Sequence, residues 1–132
     1  MDLDRMGIKK VLGCSYEEAL QKVPEELEKE GFGVLTEIDV KETLKKKIDV
    51  DFRKYKILGA CNPPAAHKVL SAAPEIGLLL PCNVIVYQGD DGKTVVSAFD
   101  PMQVAEFASK PEIKAVAEDI RARLGRVIDS LR

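Results

Sequence analysis

Several residue types that often carry chemistry are scarce in this 132-residue chain. It has no tryptophan, one histidine and three cysteines, and it has only 3 tyrosines and 4 phenylalanines. Three cysteines, an odd number and without a Cys-x-x-Cys motif, do not make a disulfide scaffold. With so few aromatic rings, platforms on which nucleic-acid bases could stack are scarce as well.

Charge of one sign is also lacking, because 20 Lys and Arg residues stand against 22 Asp and Glu residues. The formal net charge of -2 gives no bulk attraction to nucleic acid or to anionic lipid. The one lysine-rich stretch, residues 41–56, is diluted by acidic residues. We therefore expect no nucleic-acid partner.

No apolar run is long enough to span a bilayer. The longest weakly polar stretch, residues 76–87, covers 12 residues and is interrupted by Pro81 and Asn83. The chain starts Met-Asp-Leu-Asp-Arg, which lacks the basic flank and apolar run of a signal peptide. We expect no membrane partner and a cytoplasmic, reducing location.

The composition, 45% hydrophobic and 32% charged, is that of an ordinary globular protein with one core. Alternating apolar residues predict strands at residues 6–12, 34–38, 55–61, 82–87 and 93–99. Residues that can cap a first helical turn predict helix starts at Ser15, Asp39, Asn62, Asp100 and Ser109. This order predicts one α+β domain over residues 1–132, with a mainly antiparallel sheet and helices packed on it.

Three local features give finer predictions. Pro24 falls inside the first helix and removes the hydrogen bond to the Leu20 carbonyl, so we expect a kink or two shorter helices. Apolar residues on both faces of the strand at residues 55–61 predict a central strand covered on each side. The last helix carries a long apolar row, which could cover the sheet or, in part, meet a second copy of the chain.

One group of side chains could carry chemistry. Cys61 ends the third strand, His67 lies at the edge of the apolar stripe of the next helix, and Cys82 begins the fourth strand. If the two strands are antiparallel neighbours, the end of one lies beside the start of the other. The sequence thus predicts that Cys61, His67 and Cys82 converge at one rim of the sheet, with His67 half-exposed.

Three interpretations of this rim remain open. Two thiolates and an imidazole suit Zn²⁺ or another soft metal ion, although the spacing matches no dense zinc module. Alternatively, Cys61 is a nucleophile with His67 as its base, although no third group to orient the imidazole is evident. In the third interpretation the cysteines are small buried hydrophobic residues and His67 is a structural edge residue.

Four sequence blocks, GFGVLTEIDV, ILGACNP, AH and GLLLPCNV, resemble the domain-of-unknown-function family 302. The resemblance covers nearly the whole chain. It implies a compact α+β fold and a homodimer, and it implies no established reaction. The family pattern includes the residues carried here by Cys61, Asn62, His67, Pro81, Cys82 and Asn83.

We therefore expect a small cytoplasmic α+β protein, a homodimer, with a ligand site. The residues expected to bind the ligand are Cys61, Asn62, His67, Cys82 and Asn83. The expected ligand is a soft metal ion such as zinc on Cys61, His67 and Cys82, a metal cofactor such as haem, or a thiol-reactive small molecule. The alternatives are a homodimeric interaction module that uses the last helix or a sheet edge, and a cysteine-dependent enzyme.

Overall fold

Five strands form the centre of the fold in the computed structural model, which describes residues 5–107 and 110–132. The strands are β1 (Gly7–Leu12), β2 (Gly33–Asp39), β3 (Tyr55–Cys61), β4 (Cys82–Gln88) and β5 (Thr94–Phe99). They make one sheet in the order β1-β5-β4-β3-β2, and every neighbouring pair is antiparallel.

Five α-helices are present in the described residues: α1 (Tyr16–Lys29), α2 (Val40–Ile48), α3 (Pro63–Ala72), α4 (Met102–Phe107) and α5 (Pro111–Ser130). A 3-10 helix spans Pro74–Leu79. The antiparallel sheet with its packed helices confirms the predicted α+β fold class. None of the described helices combines the length and the apolar character needed to cross a membrane.

Short polar side chains fix where several helices begin. Ser15, Asp39 and Asn62 each accept a hydrogen bond from the backbone amide three residues later, over 3.0–3.2 Å. Each bond satisfies an amide that the first helical turn leaves unpaired. Asp100 accepts from the amide two residues later at 3.0 Å, so these four predicted starts are confirmed. The predicted start at Ser109 lies outside the described residues.

Helix α1 runs unbroken through Pro24, so the prediction of two shorter helices is wrong. Ala19, Val23 and Leu27 are fully buried on its inner side. A buried Val or Leu contributes about 1.5–3 kcal/mol, and together these outweigh the roughly 3 kcal/mol that an interior proline costs. The helix ends before Gly31, whose φ of 87° glycine adopts readily and other residues do not.

Helices α1 and α5 cover one face of the sheet, where the main hydrophobic core lies. The sheet contributes aliphatic side chains that are at most 1% exposed: Leu58, Ala60, Val84, Val86, Val96 and Ala98. Helix α5 contributes Ile120, Leu124, Val127 and Ile128, each at most 5% exposed. The apolar row of α5 is thus used inside the chain and leaves little for a second copy.

The opposite face of the sheet, called here the outer face, is only partly covered. Tyr55 and Ile57 of β3 are half-buried there, opposite Tyr87 and Ile85 of β4. Helix α2 contacts β2 and β3 but buries none of its own residues. Strand β3 is internal in the sheet, as predicted. Its outer face is less buried than its inner face, because α1 and α5 both lie on the inner side.

Leu124 offers a direct test of this core, since its side chain is 0% exposed. We expect Leu124→Ala to lower the free energy of unfolding by about 3 kcal/mol, because it removes buried methyl groups and leaves a cavity. Leu78→Ala makes the same chemical change at a side chain that is 82% exposed, and we expect it to change stability by less than about 0.5 kcal/mol. Urea denaturation measures both. Equal losses in the two variants would contradict the described packing of α5.

Candidate ligand-binding site

A cavity of about 420 Å³ lies at the end of the sheet where β3 stops and β4 begins. Its walls are formed by that end of the sheet, by α3, by the 3-10 helix and by α5. The described residues that line it include no charged side chain. Cavities that bind small ligands are typically of about 300–1,000 Å³ and mostly apolar. We call this space the apolar cavity.

The apolar cavity exists because its walls are rich in residues with small side chains. Ala60 on β3, Ala65 and Ala66 on α3, Gly77 in the 3-10 helix and Ala117 on α5 all line it. Larger residues at these positions would fill the space between the backbones. The larger lining side chains, among them the buried Val69 and Ile76, complete an apolar wall around the open centre.

The two predicted cysteines meet at this cavity. Strands β3 and β4 are antiparallel neighbours, and Cys82 lies directly opposite Ala60, one residue before Cys61. This confirms the strand pairing on which the sequence prediction depends. Both residues are half-buried free thiols, and both line the apolar cavity.

The protonation state of Cys82 follows from its surroundings. Burial raises the pKa of the Cys82 thiol to about 11, and the negative charge of an ionised Cys61 adds to the effect. At neutral pH the group is therefore a protonated thiol, since a thiolate would lose its hydration in this wall. Cys82 thus presents a weakly polar S–H surface to the cavity and is a poor nucleophile.

His67 and Asn83 are the two predicted ligand-binding residues that do not share the cavity wall. Both are exposed, and neither lines the apolar cavity. His67 is the residue after Ala66, which lines the cavity. Each step along a helix rotates the side chain by about 100°, so His67 lies away from the side of α3 that faces the cavity. The structure therefore does not place His67 in the cavity wall with the two cysteines.

The predicted metal ligands are not gathered. In the part of the chain that the structure describes, no three His, Cys, Asp or Glu side chains come together as ligands of one ion would. The structure brings Cys61 and Cys82 together but does not bring His67 to them.

Asn62, the remaining predicted residue, lines the apolar cavity and also a second one of about 450 Å³. This second space, called here the polar cavity, lies between the start of α3 and the middle of α5. Lys68, Asp119 and Arg123 are its charged lining residues. Both cavities were missed by sequence reasoning, and the neighbouring Ala65 and Ala66 on α3 are the main local feature that could have indicated unfilled space.

A small α+β domain with a ligand-sized apolar cavity at one end of an antiparallel sheet is the class of protein that this fold and site define. The family model for the domain of unknown function DUF302 matches residues 8–131. A crystal structure of an uncharacterized conserved protein DUF302 from Bacillus stearothermophilus is similar, with a TM-score of 0.88 and 33% sequence identity, over 96% of this chain and 98% of that chain. The chain belongs to the DUF302 family. No curated protein matches it.

The protonation of Cys82 can be measured by alkylation. In a Cys14→Ser/Cys61→Ser variant, Cys82 is the one cysteine left to react with iodoacetamide. This variant removes the charge of Cys61 but keeps burial, which is the larger cause of the raised Cys82 pKa. We expect the rate to rise with pH toward a midpoint near 11. At pH 8 the thiolate fraction should be about a hundredth of that of a thiol with a pKa of 9. The same variant unfolded in urea serves as the control, and equal midpoints in the folded and unfolded chains would contradict the described burial.

Proposed function

We propose that this protein binds a small, largely apolar molecule in the apolar cavity. The observation that carries the proposal is a ligand-sized space whose described walls hold no charged side chain. An apolar ligand that leaves water for such a wall gains roughly 25 cal/mol for each Å² of apolar surface it buries. A preformed cavity of this kind requires little rearrangement of the protein when the ligand enters.

Cys61, Cys82 and Asn62 are the wall residues that give this site its specificity in the proposal. The two sulfur atoms are polarisable and favour a ligand with soft or π-bonded groups. The side-chain oxygen of Asn62 is already used, since it accepts the amide of Ala65 at 3.2 Å. Because all three cysteines are free thiols, a reducing compartment such as the cytoplasm forms part of this proposal.

Filling the cavity provides the sharpest test. We expect Ala66→Trp to weaken the binding of octan-1-ol, an apolar probe, at least about tenfold, because an indole on the cavity wall takes up the space that the probe needs. His67→Trp is the matched control, because it puts the same side chain on the same helix one residue further on, outside the lining residues. Titration followed by shifts of backbone amide NMR signals gives both affinities.

The control should bind octan-1-ol as the unchanged protein does, with the largest NMR shifts at the amides of residues that line the apolar cavity. Loss of binding in both variants, or shifts spread over the surface, would contradict the proposal. The absence of any binding by the unchanged protein would do so as well.

A second candidate function, self-association as a homodimer, is favoured by the outer face of the sheet. A row of isoleucines, Ile38, Ile57 and Ile85, crosses β2, β3 and β4 on this face. Ile38 on the edge strand β2 is 49% exposed. Val11 lies on the same face, on the opposite edge strand β1, and is 53% exposed. We infer that two copies pack these faces together, because sheets with apolar faces stack about 10 Å apart and one patch can serve both partners.

A charge introduced on the outer face tests this inference. We expect Ile85→Lys, and separately Val11→Lys, to weaken self-association at least about tenfold, because a lysine cannot lose its hydration in an apolar interface at low cost. Leu78→Lys, at a side chain that is 82% exposed on the 3-10 helix, is the control and should associate normally. Sedimentation velocity over a range of concentrations measures association. A monomer in the unchanged protein, or equal effects of the three changes, would rule out this interface.

A further inference from the structure

The polar cavity adjoins the apolar cavity. Asn62, Ala65 and Val116 line both spaces, so the two meet along the contact between α3 and α5. Ala65, one of these shared residues, carries only a methyl group. One extended molecule that lies along this contact would place different parts in the two cavities.

Hydrogen-bond donors converge in the polar cavity beside Gly31. The position that a Cβ atom would occupy on Gly31 lies 3.1 Å from Nδ2 of Asn62 and 3.8 Å from Nη1 of Arg123. Glycine keeps this position open. Nδ2 of Asn62 has no hydrogen-bond partner among the described residues, while the Oδ1 atom of the same amide accepts the cap bond. An amide donor and a guanidinium thus lie close to the same point beside Gly31.

The charges around this volume are unequal. Lys68 and Arg123 are positive and Asp119 is the one negative lining residue in the described chain. Arg123 is already engaged, because it donates to Asp119 at 3.1 Å and to the backbone carbonyl of Glu30 at 3.0 Å. Lys68 is exposed and has neither an ion pair nor a hydrogen bond within the described residues. The polar cavity therefore holds one positive charge that no side chain neutralises.

The start of α3 itself contributes little to this positive character. Pro63 and Pro64 have no backbone N–H, and the amide of Ala65 is capped by Asn62. The unpaired amides that commonly bind anions at a helix start are thus missing here. Selectivity for an anion would have to come from the side chains of Asn62, Lys68 and Arg123.

From these observations we propose that the polar cavity binds the acidic head of the molecule whose apolar body occupies the apolar cavity. The ligand class is an amphipathic monoanion, such as a carboxylic acid on an aliphatic or aromatic body. This inference rests on the proposed function, since it needs the apolar cavity to bind the body. The carboxylate would take hydrogen bonds from Nδ2 of Asn62 and the guanidinium of Arg123, and Lys68 would balance its charge.

Three probes with one eight-carbon chain test the head group: octanoate, octan-1-ol and octylammonium. Titrations at pH 7, followed by backbone amide NMR, should give octanoate about tenfold tighter binding than octan-1-ol, the factor that corresponds to 1.4 kcal/mol. Octylammonium should bind more weakly than the alcohol, because its charge meets Lys68. Octanoate alone among the three should shift the amides of Ala115 and Asp119, which line only the polar cavity.

Lys68→Gln should reduce the preference for octanoate over octan-1-ol to about threefold or less, through weaker binding of octanoate. Lys47→Gln removes the same charge from an exposed residue of α2 and should leave the preference intact. Acetate, which lacks the apolar body, should bind at least about a hundredfold more weakly than octanoate.

Equal binding of octanoate and octan-1-ol would overturn this inference and leave the proposed function standing. A preference that survives Lys68→Gln, or that falls equally with Lys47→Gln, would also overturn it. Acetate that binds as tightly as octanoate would mean an anion site unconnected to the apolar cavity. If none of the eight-carbon probes bound, the proposed function would fail together with the inference.

Discussion

Helix α5 lies across a sheet face built from small and medium aliphatic side chains, and its own buried row completes that core. Leu124 belongs to this core and is inaccessible to solvent. Burial of this apolar surface is the main favourable free energy of folding in a domain of this size. The same helix continues past the core, where Ile113 and Ala117 line the apolar cavity. The position of the cavity thus depends on the packing that holds the sheet.

The cavity follows from a local change in residue size along this helix and its neighbours. Where α5 faces the middle of the sheet, it presents leucine, valine and isoleucine, and the space is filled. Near the sheet end, alanines on α3 and α5 line the cavity and the space stays open. Apolar side chains that border such an open space make fewer contacts than they would in a filled core. A ligand that restores those contacts would offset this loss, and this is the physical basis of the proposed function.

Much of the fold could be predicted from the sequence because its determinants are local. The alternation of apolar residues in strands and their periodicity in helices are set by residues close in the chain. The same holds for the helix caps at Ser15, Asp39 and Asn62, and all three caps form as expected. The pairing of β3 with β4, inferred from order alone, places Cys61 beside Cys82. The sequence could not show that α1 continues through Pro24, because the burial of this helix is a tertiary effect that local propensity does not contain.

The site could be predicted only in part, since a cavity depends on elements distant in sequence. Its walls join β3, α3, the 3-10 helix and α5, and no periodic pattern reports the distances among them. His67 was placed at the rim from its angle on α3, but that angle decides only which side of the helix it occupies. Asn62 was expected to bind a ligand, and its place in the walls of both cavities depends on the approach of α5 to α3.

The central claim is that an apolar space lies open between α3, α5 and the end of the sheet. A crystal of the unchanged protein pressurised with xenon tests it most directly, because xenon enters apolar spaces and needs no hydrogen bonds. The account predicts xenon density among Val69, Ile120 and the two cysteines, Cys61 and Cys82, with the backbone unmoved. Side chains of Leu79 and Leu80 packed into that position, with no xenon there, would contradict it.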